Sequence, residues 1–292
     1  MGWKSGKIYK KGLLMKNIAI LLTVHNRKEK TLRCINEIFS QQLSNDVNLN
    51  IFMTDDGCSD GTSEAIQGKY PNIKIIKGDG SLFWNRGMFV AWQEASKHTP
   101  DFYLWLNDDT NLKENAIQTI IKASHEENDS SIIVGTTQAT KYDQTITYGG
   151  RMLNSPKRVV PPMGGNIPCD FFNGNVVLIP KAVFNKVGFN DYFYRHSFGD
   201  FDYGNKAKKL GIKSFIAPGI VGFCQRNNPI PLYQRSCYNL IKRFKLLYSP
   251  LGMNPIEDFH FQRKIHNILY CILHFFKLHI NVFLTKDHTV YE

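Results

Sequence analysis

Several features that would have pointed elsewhere are missing from this sequence. Its six cysteines (Cys34, Cys58, Cys169, Cys224, Cys237, Cys271) show neither CxxC spacing nor a dense framework. That excludes a disulfide scaffold and fits a reducing, cytoplasmic setting. The first fourteen residues are basic and polar and lack the apolar core of a signal peptide. They look unlike the start of a fold, so Met15 is expected to be the natural start, which the N-terminal peptide mass of the natural protein would test. No internal repeat or low-complexity segment stands out, and no glycine-rich, lysine-bearing phosphate loop lies near the N-terminus. The net charge of +11 favours an anionic partner: nucleotide phosphates, nucleic acid or an acidic membrane face. Nucleic acid is set aside, because the basic residues are scattered and no recognition motif accompanies them.

The remaining composition is that of a globular chain. With 42% hydrophobic and 21% charged residues over 292 positions, it can bury a sizeable core in one large domain, or in one domain with an extension. Ile18 to Val24 is a buried-strand run ended by His25-Asn26-Arg27. Leu32, Ile35, Ile38, Phe39 and Leu43 follow at helical spacing. A strand from Leu49 to Thr54 runs into the acidic turn Asp55-Asp56-Gly57-Cys58-Ser59-Asp60-Gly61-Thr62. A short helix precedes the strand Ile73 to Lys77 and the loop Gly78-Asp79-Gly80-Ser81-Leu82-Phe83-Trp84-Asn85. Met88, Ala91, Trp92 and Ala95 then share a helix face. Tyr103-Leu104-Trp105-Leu106 is a fourth buried strand, delivering Asn107-Asp108-Asp109-Thr110, and Ile117, Ile120 and Ile121 mark the helix after it.

This alternation predicts an α/β fold with a mainly parallel sheet and helices on both faces. Every polar loop follows a strand, so all four gather at one sheet edge, where such folds bind ligands. Adjacent carboxylates there repel unless a cation neutralises them, and Mg²⁺ sits on one or two carboxylates with substrate phosphates around it. The plainer alternative is that Asp109, Thr110 or Asn111 caps the following helix. The second half is less regular. Ser131 to Gln138 and Thr145 to Tyr148 read as strands, and Arg151 to Pro168 reads as one long loop. Phe171-Phe172-Asn173-Gly174-Asn175 leads into the strand Val176 to Ile179 and a helix opened by Pro180, and Phe198-Gly199-Asp200-Phe201-Asp202 starts a basic helix ending near Gly211. Beyond Pro231 the chain reads as helical, with Tyr233, Cys237, Leu240, Ile241, Phe244 and Leu247 as an apolar stripe.

Taken in order over roughly residues 16–228, five of these pieces resemble the family 2 glycosyltransferases of GT-A fold. They are Thr23 to Arg27, Asp55 to Thr62, Gly78 to Trp84, Leu104 to Thr110, and Gly199 to Asp202. The pieces look most like bacterial members that build cell-surface polysaccharides, rhamnosyltransferase-like enzymes among them. The resemblance implies a GT-A domain over residues 16–230, with a helical extension over 231–292. It also implies an inverting transfer of a sugar from a UDP- or dTDP-sugar to a glycan or lipid-linked saccharide acceptor. Thr23, His25, Asn26 and Arg27 would approach base and ribose. Asp56 would hydrogen-bond the pyrimidine with Asp55 beside it, unless it is a turn cap. Asp79, Gly80 and Trp84 would line the donor pocket, Trp84 and Trp92 being equally able to serve as core. Asn107 and Asp108 would face the donor, and Asp109 would hold Mg²⁺ or Mn²⁺. Two departures stand out: Asn107 replaces an Asp, and Ile220 to Gln225 offers no histidine as a further metal ligand. Cys224 is a poor substitute for a hard cation.

One carboxylate must take the acceptor's proton. Asp200 keeps register with the family's base, Gly199 standing where the neighbouring acid is usual. Asp202 is the rival, and Asp200 could also be only a helix cap. A nucleotidyltransferase, or a non-catalytic glycan-binding assembly protein, would share parts of this pattern. Near the C-terminus, Ile268 to Leu273 is apolar but soon interrupted by His274, Lys277 and His279, too short to span a bilayer. With Arg243, Lys245, Arg263 and Lys264 nearby, it could lie on an anionic membrane surface or pack on the domain or in a homodimer seam.

Overall fold

The computed structural model describes residues 15–228 and 230–285. Residues 1–14, on which the expectation about Met15 depends, lie outside them. The chain runs β1 (Lys16–Val24), α1 (Lys28–Phe39), β2 (Val47–Asp55), α2 (Thr62–Lys69), β3 (Lys74–Lys77), α3 (Phe83–Ser96), β4 (Phe102–Leu106), β5 (Asn111–Leu112) and α4 (Ala116–Glu126). It continues β6 (Ile132–Gln138), β7 (Ile146–Tyr148), β8 (Gly150–Met152), β9 (Ser155–Val159), β10 (Ile167–Cys169), β11 (Phe171–Phe172), β12 (Val176–Pro180), α5 (Lys181–Val187), α6 (Gly199–Lys209) and β13 (Ser214–Phe223). Three helices follow: α7 (Leu240–Leu247), α8 (Pro255–Arg263) and α9 (Ile268–Asn281).

The main sheet has the order β10-β13-β6-β12-β4-β1-β2-β3. Strands β3, β2, β1 and β4 are parallel, so the loops after them open on one edge as the alternation demands. Strand β12 runs antiparallel between β4 and β6, which sends its N-terminal end, and Asn173-Gly174-Asn175 before it, to that same edge. Two cores flank the sheet. Alternate residues Ile18, Ile20, Leu22 and Leu104 face α1 and α4, while Ala19, Leu21, Tyr103 and Trp105 face α3 and α6. Met88, Ala91, Trp92 and Ala95 are buried, as are Ile117, Ile120 and Ile121. Trp92 is therefore core. Phe39 departs from its expected face; it is half exposed and stacks on Tyr70 with ring centroids 4.9 Å apart.

Two expectations are corrected. Arg151 to Pro168 is not one loop: β8 and β9 pair as a hairpin, extended by β11 into a small second sheet. Ser155-Pro156-Lys157-Arg158-Val159 is a mostly exposed edge strand, so it carries no apolar alternation to read. The stripe from Tyr233 to Leu247 is not one helix face either. A 3₁₀ turn at Leu232–Gln234 breaks from α7, Leu240 and Ile241 are exposed, and Leu247 packs with Tyr233, Leu278 and Val282. Two of the basic residues grouped with a membrane surface also turn inward. Arg243 is buried with Nε donating to the Tyr233 carbonyl (3.1 Å), and Lys264 pairs with Asp191 and Asp202, each at 2.9 Å.

Candidate active site

The loops at the sheet edge enclose a cleft of about 760 Å³. Thr23, His25, Arg27, Asp56, Gly80, Trp84, Asn107, Asp109 and Asp200 line it. Asn26, Asp55, Asp79 and Asp108 do not appear on its wall, and three of these four fasten the loops that do. Asn26, with a left-handed φ of 49°, accepts the Ser59 amide at 2.7 Å through its side-chain oxygen. Asp55 accepts from the Cys58 amide (2.7 Å), from Ser63 and from Lys77 (2.6 Å). Burial opposes ionisation of Asp55, but those hydrogen bonds outweigh it and hold the carboxyl at about 2. Asp79 is exposed and closes its own turn onto Ser81.

Asp56 joins two loops. Its Oδ1 accepts from the Gly80 and Leu82 amides and its Oδ2 from the Phe83 amide, which orders the start of α3. The turn-cap reading and the cleft position thus coexist in one carboxylate. Its own carbonyl lies 2.6 Å from Nδ1 of His25. The two loops touch through glycine: a Cβ on Gly57, at φ +71°, would lie 2.9 Å from Gly80 Cα.

At the end of β4 the three polar residues diverge. Asn107 Oδ1 accepts from Trp84 Nε1 (2.7 Å), and Trp84 stands edge-on to Trp105 and against Gly174. Asp108 is fully buried, accepting from Thr31 Oγ1 (2.9 Å) and pairing with Arg27 at 2.5 Å. Burial pushes Asp108 up to about 6, against the pull of Arg27. Asp109 remains partly exposed, its Oδ2 2.9 Å from the same guanidinium. One arginine therefore answers the repulsion between adjacent carboxylates.

Among the described residues no three His, Cys, Asp or Glu side chains cluster as a metal-ligating group. The donor set still fits a hard cation in its sparsest mode, one cleft-facing carboxylate from Asp109 with phosphate and water oxygens completing the shell. Cys224 adds nothing to that shell. Burial, then Asp109, pushes its thiol up to about 12, so it stays protonated and points at Asp109 Oδ1 from 3.7 Å.

Asp200, which also lines the cleft, begins α6. Its Oδ2 accepts from the Gly174 amide (2.9 Å) and its Oδ1 from the Phe201 amide (2.8 Å). Burial raises the carboxyl to about 6 despite those bonds. Asp202 lies away from the cleft wall, buried, held by Lys264 and by the Tyr194 hydroxyl at 3.4 Å. The preceding Phe198 has a left-handed φ of 71° and stacks on Phe261 of α8, a strained turn held by packing.

Gly199 has a steric reason. A Cβ there would lie 1.8 Å from Asn85 Oδ1. Asn85 is fully buried and donates to the Asp191 and Tyr194 carbonyls at 2.8 and 2.7 Å. The space beside the helix start is thus filled by an amide from α3. Gly199→Ala is expected to cost roughly 1–3 kcal/mol, as overpacking does. Thermal unfolding checks this, and an unchanged Tm would contradict it.

Further cleft residues gave no sequence signal. Tyr148, Asn173 and His196 line it, and Leu251 and Met253 reach it from beyond α7. Burial, then Arg27, holds His196 near 4, so the imidazole is neutral, and its buried Nδ1 has no hydrogen-bond partner among the described residues. An isolated histidine outside any motif carries no such message in sequence.

The sequence profile of Glycosyl transferase family 2 matches residues 19–198, more than half of the chain. The chain belongs to glycosyl transferase family 2. Its fold is similar to crystal structures of S. aureus TarS. The TarS 1–349 complex with UDP-GlcNAc aligns at 13% identity with a TM-score of 0.54, covering 91% of this chain and 73% of that one. For the complex with UDP the values are 12%, 0.54, 86% and 71%. A further TarS structure aligns at 11% and 0.53, over 91% of this chain; this chain spans only 44% of that one. No curated protein sequence matched.

Proposed function

We propose that this chain is an inverting glycosyltransferase that moves a sugar from a nucleotide-diphosphate donor to a hydroxyl of a glycan or lipid-linked saccharide. The observation that carries the reading is one cleft lined by Asp56, Asn107 and Asp109 and also by Asp200, a carboxylate raised to about 6. Asp200 takes the acceptor's hydroxyl proton as that oxygen bonds to the anomeric carbon. The bond from that carbon to the diphosphate oxygen breaks, its electron pair leaving with the nucleoside diphosphate. A single displacement opposite the leaving group inverts the anomeric centre. Asp109 would hold Mg²⁺ or Mn²⁺, which supplies Lewis-acid neutralisation of the diphosphate when bound. Thr23, His25 and Asp56 would take the nucleoside, and Asn107, which accepts from Trp84 Nε1, would face the sugar.

Uridine donors come first because the TarS structures hold UDP-GlcNAc and UDP. A deoxyhexose carried on dTDP follows, from the rhamnosyltransferase-like motifs, and would place the enzyme in bacterial surface-polysaccharide synthesis. Donor hydrolysis across UDP-, dTDP- and GDP-sugars tests the reading. Nucleoside diphosphate released from one class is the expected result, and no turnover of any donor would contradict it.

A further inference from the structure

The C-terminal helices carry an exposed apolar face that the transfer chemistry does not use. Helix α9 packs inward through Cys271, Leu278 and Val282. Its outer side presents Leu269, Leu273, Phe276, Ile280 and, just past its end, Phe283, each about 60% exposed. The spacing of these residues is helical, so they form one stripe. Between α8 and α9 an open groove of about 430 Å³ is lined, among the described residues, by Ile256, Phe259, Ile272, Phe275 and Phe276.

Charge decides what covers this face. The sequence has no Asp or Glu between Asp202 and Glu257, nor between Asp258 and Asp287. Glu257 and Asp258 are themselves buried, taken by Arg195 (2.8 Å) and His274 (2.8 Å). Lys242, Lys245, Arg263 and Lys277, by contrast, are exposed, with no ion pair among the described residues. A second copy joined by a two-fold axis through this face would bring the exposed cations of α8 and α9, Arg263 and Lys277, against their own copies with no acid on these helices left exposed to answer them. A surface of anionic lipid headgroups would neutralise it while taking the apolar stripe into its acyl region. Helix α9 has 14 residues, about 21 Å at 1.5 Å per residue, and no described helix is long and apolar enough to cross a membrane.

We propose that the outer face of α8 and α9 is a docking surface for an anionic bilayer, on which α9 lies in the plane of the interface. The same helices are fastened to the cleft. Glu257 holds Arg195, next to the cleft residue His196; Phe261 stacks on Phe198; and Leu251 and Met253 form part of the cleft wall. Docking therefore holds the cleft close to the lipid surface, where a lipid-linked acceptor would present its sugar.

Co-sedimentation of the full chain, without donor, with phosphatidylcholine vesicles and with vesicles mixed with phosphatidylglycerol tests this independently of transfer. Binding to the anionic vesicles, weakened by high salt, is expected. Replacing Arg263 and Lys277 by Gln should weaken it roughly fivefold per residue. Leu273→Gln with Phe276→Gln should weaken it roughly tenfold or more, with unchanged circular dichroism. Absence of parent binding at low salt would overturn the proposal. So would a parent dimer that Leu273→Gln with Phe276→Gln dissociates without affecting vesicle binding, since the face would then be a self-association seam. Turnover of a soluble acceptor, measured separately, reports on the transfer reading whatever the vesicles show.

Discussion

Asp200→Asn is expected to lower the rate of sugar transfer by on the order of 10²–10⁴, the usual contribution of a general base. Donor affinity should barely change, because the proposed reading gives this side chain the acceptor's proton and no hold on the donor. The amide keeps the shape and one acceptor for the Gly174 and Phe201 amides, but it cannot take a proton. The fold should survive. Burial raises the carboxyl to about 6 from an ordinary 3.8, so the folded state binds the proton more tightly than the unfolded one. The stability linked to this group is fully present in acid and lost as pH rises through about 6. Removing the charge at pH 8 should therefore leave Tm unchanged or slightly higher. The same shift gives the parent enzyme a rate that is level above about pH 7 and falls about tenfold per pH unit below about 6. Asp202→Asn, which loosens Lys264 instead, should lower Tm while keeping most of the activity. The opposite pattern, Asp200→Asn active and Asp202→Asn dead, would move the base to Asp202.

The second large effect is expected at Asp109. Asp109→Ala should abolish turnover, and excess chelator should do the same to the parent enzyme, with Mg²⁺ or Mn²⁺ restoring it. Thermal unfolding should be little changed, since Asp109 is a partly exposed rim carboxylate and Arg27 retains its buried partner Asp108. Asp108→Ala differs in kind. It removes a buried acceptor from Thr31 and Arg27 and should lower Tm as well as activity. Full activity of the parent in chelator would remove the cation from the mechanism and leave Arg27 as the resident positive charge.

The sheet was legible because its strands are short apolar runs and its loops are polar. The run Ile18 to Val24 and the stretch Tyr103 to Leu106 are near-continuous apolar runs too short for a helix and end in polar turn residues, which marks strands buried on both faces. The convergence of their loops then followed from parallel pairing. What the sequence did not disclose was which acids face the cleft and which build it. Asp55 and Asp56 are adjacent and chemically alike, yet only Asp56 lines the cleft, because Lys77 and Ser63 draw Asp55 inward from residues 22 and 8 positions away. Asp108 and Asp109 part in the same manner around Arg27. Partners that distant leave no local pattern. The fit of Gly199 against Asn85 is likewise a contact between α3 and the start of α6 that no spacing encodes. Helices α7 to α9 were legible as helices, but their buried sides were not. An outward face as apolar as that of α9 defeats the assumption that the apolar side is the inner one.

The most direct measurement is time-resolved NMR of the best nucleotide-sugar donor as the enzyme consumes it. The anomeric proton of the released or transferred sugar is read before mutarotation, and the phosphorus signals are read in parallel. The proposed chemistry predicts nucleoside diphosphate and a sugar of inverted configuration, both lost in Asp200→Asn. A retained anomer, or pyrophosphate in place of nucleoside diphosphate, would contradict it.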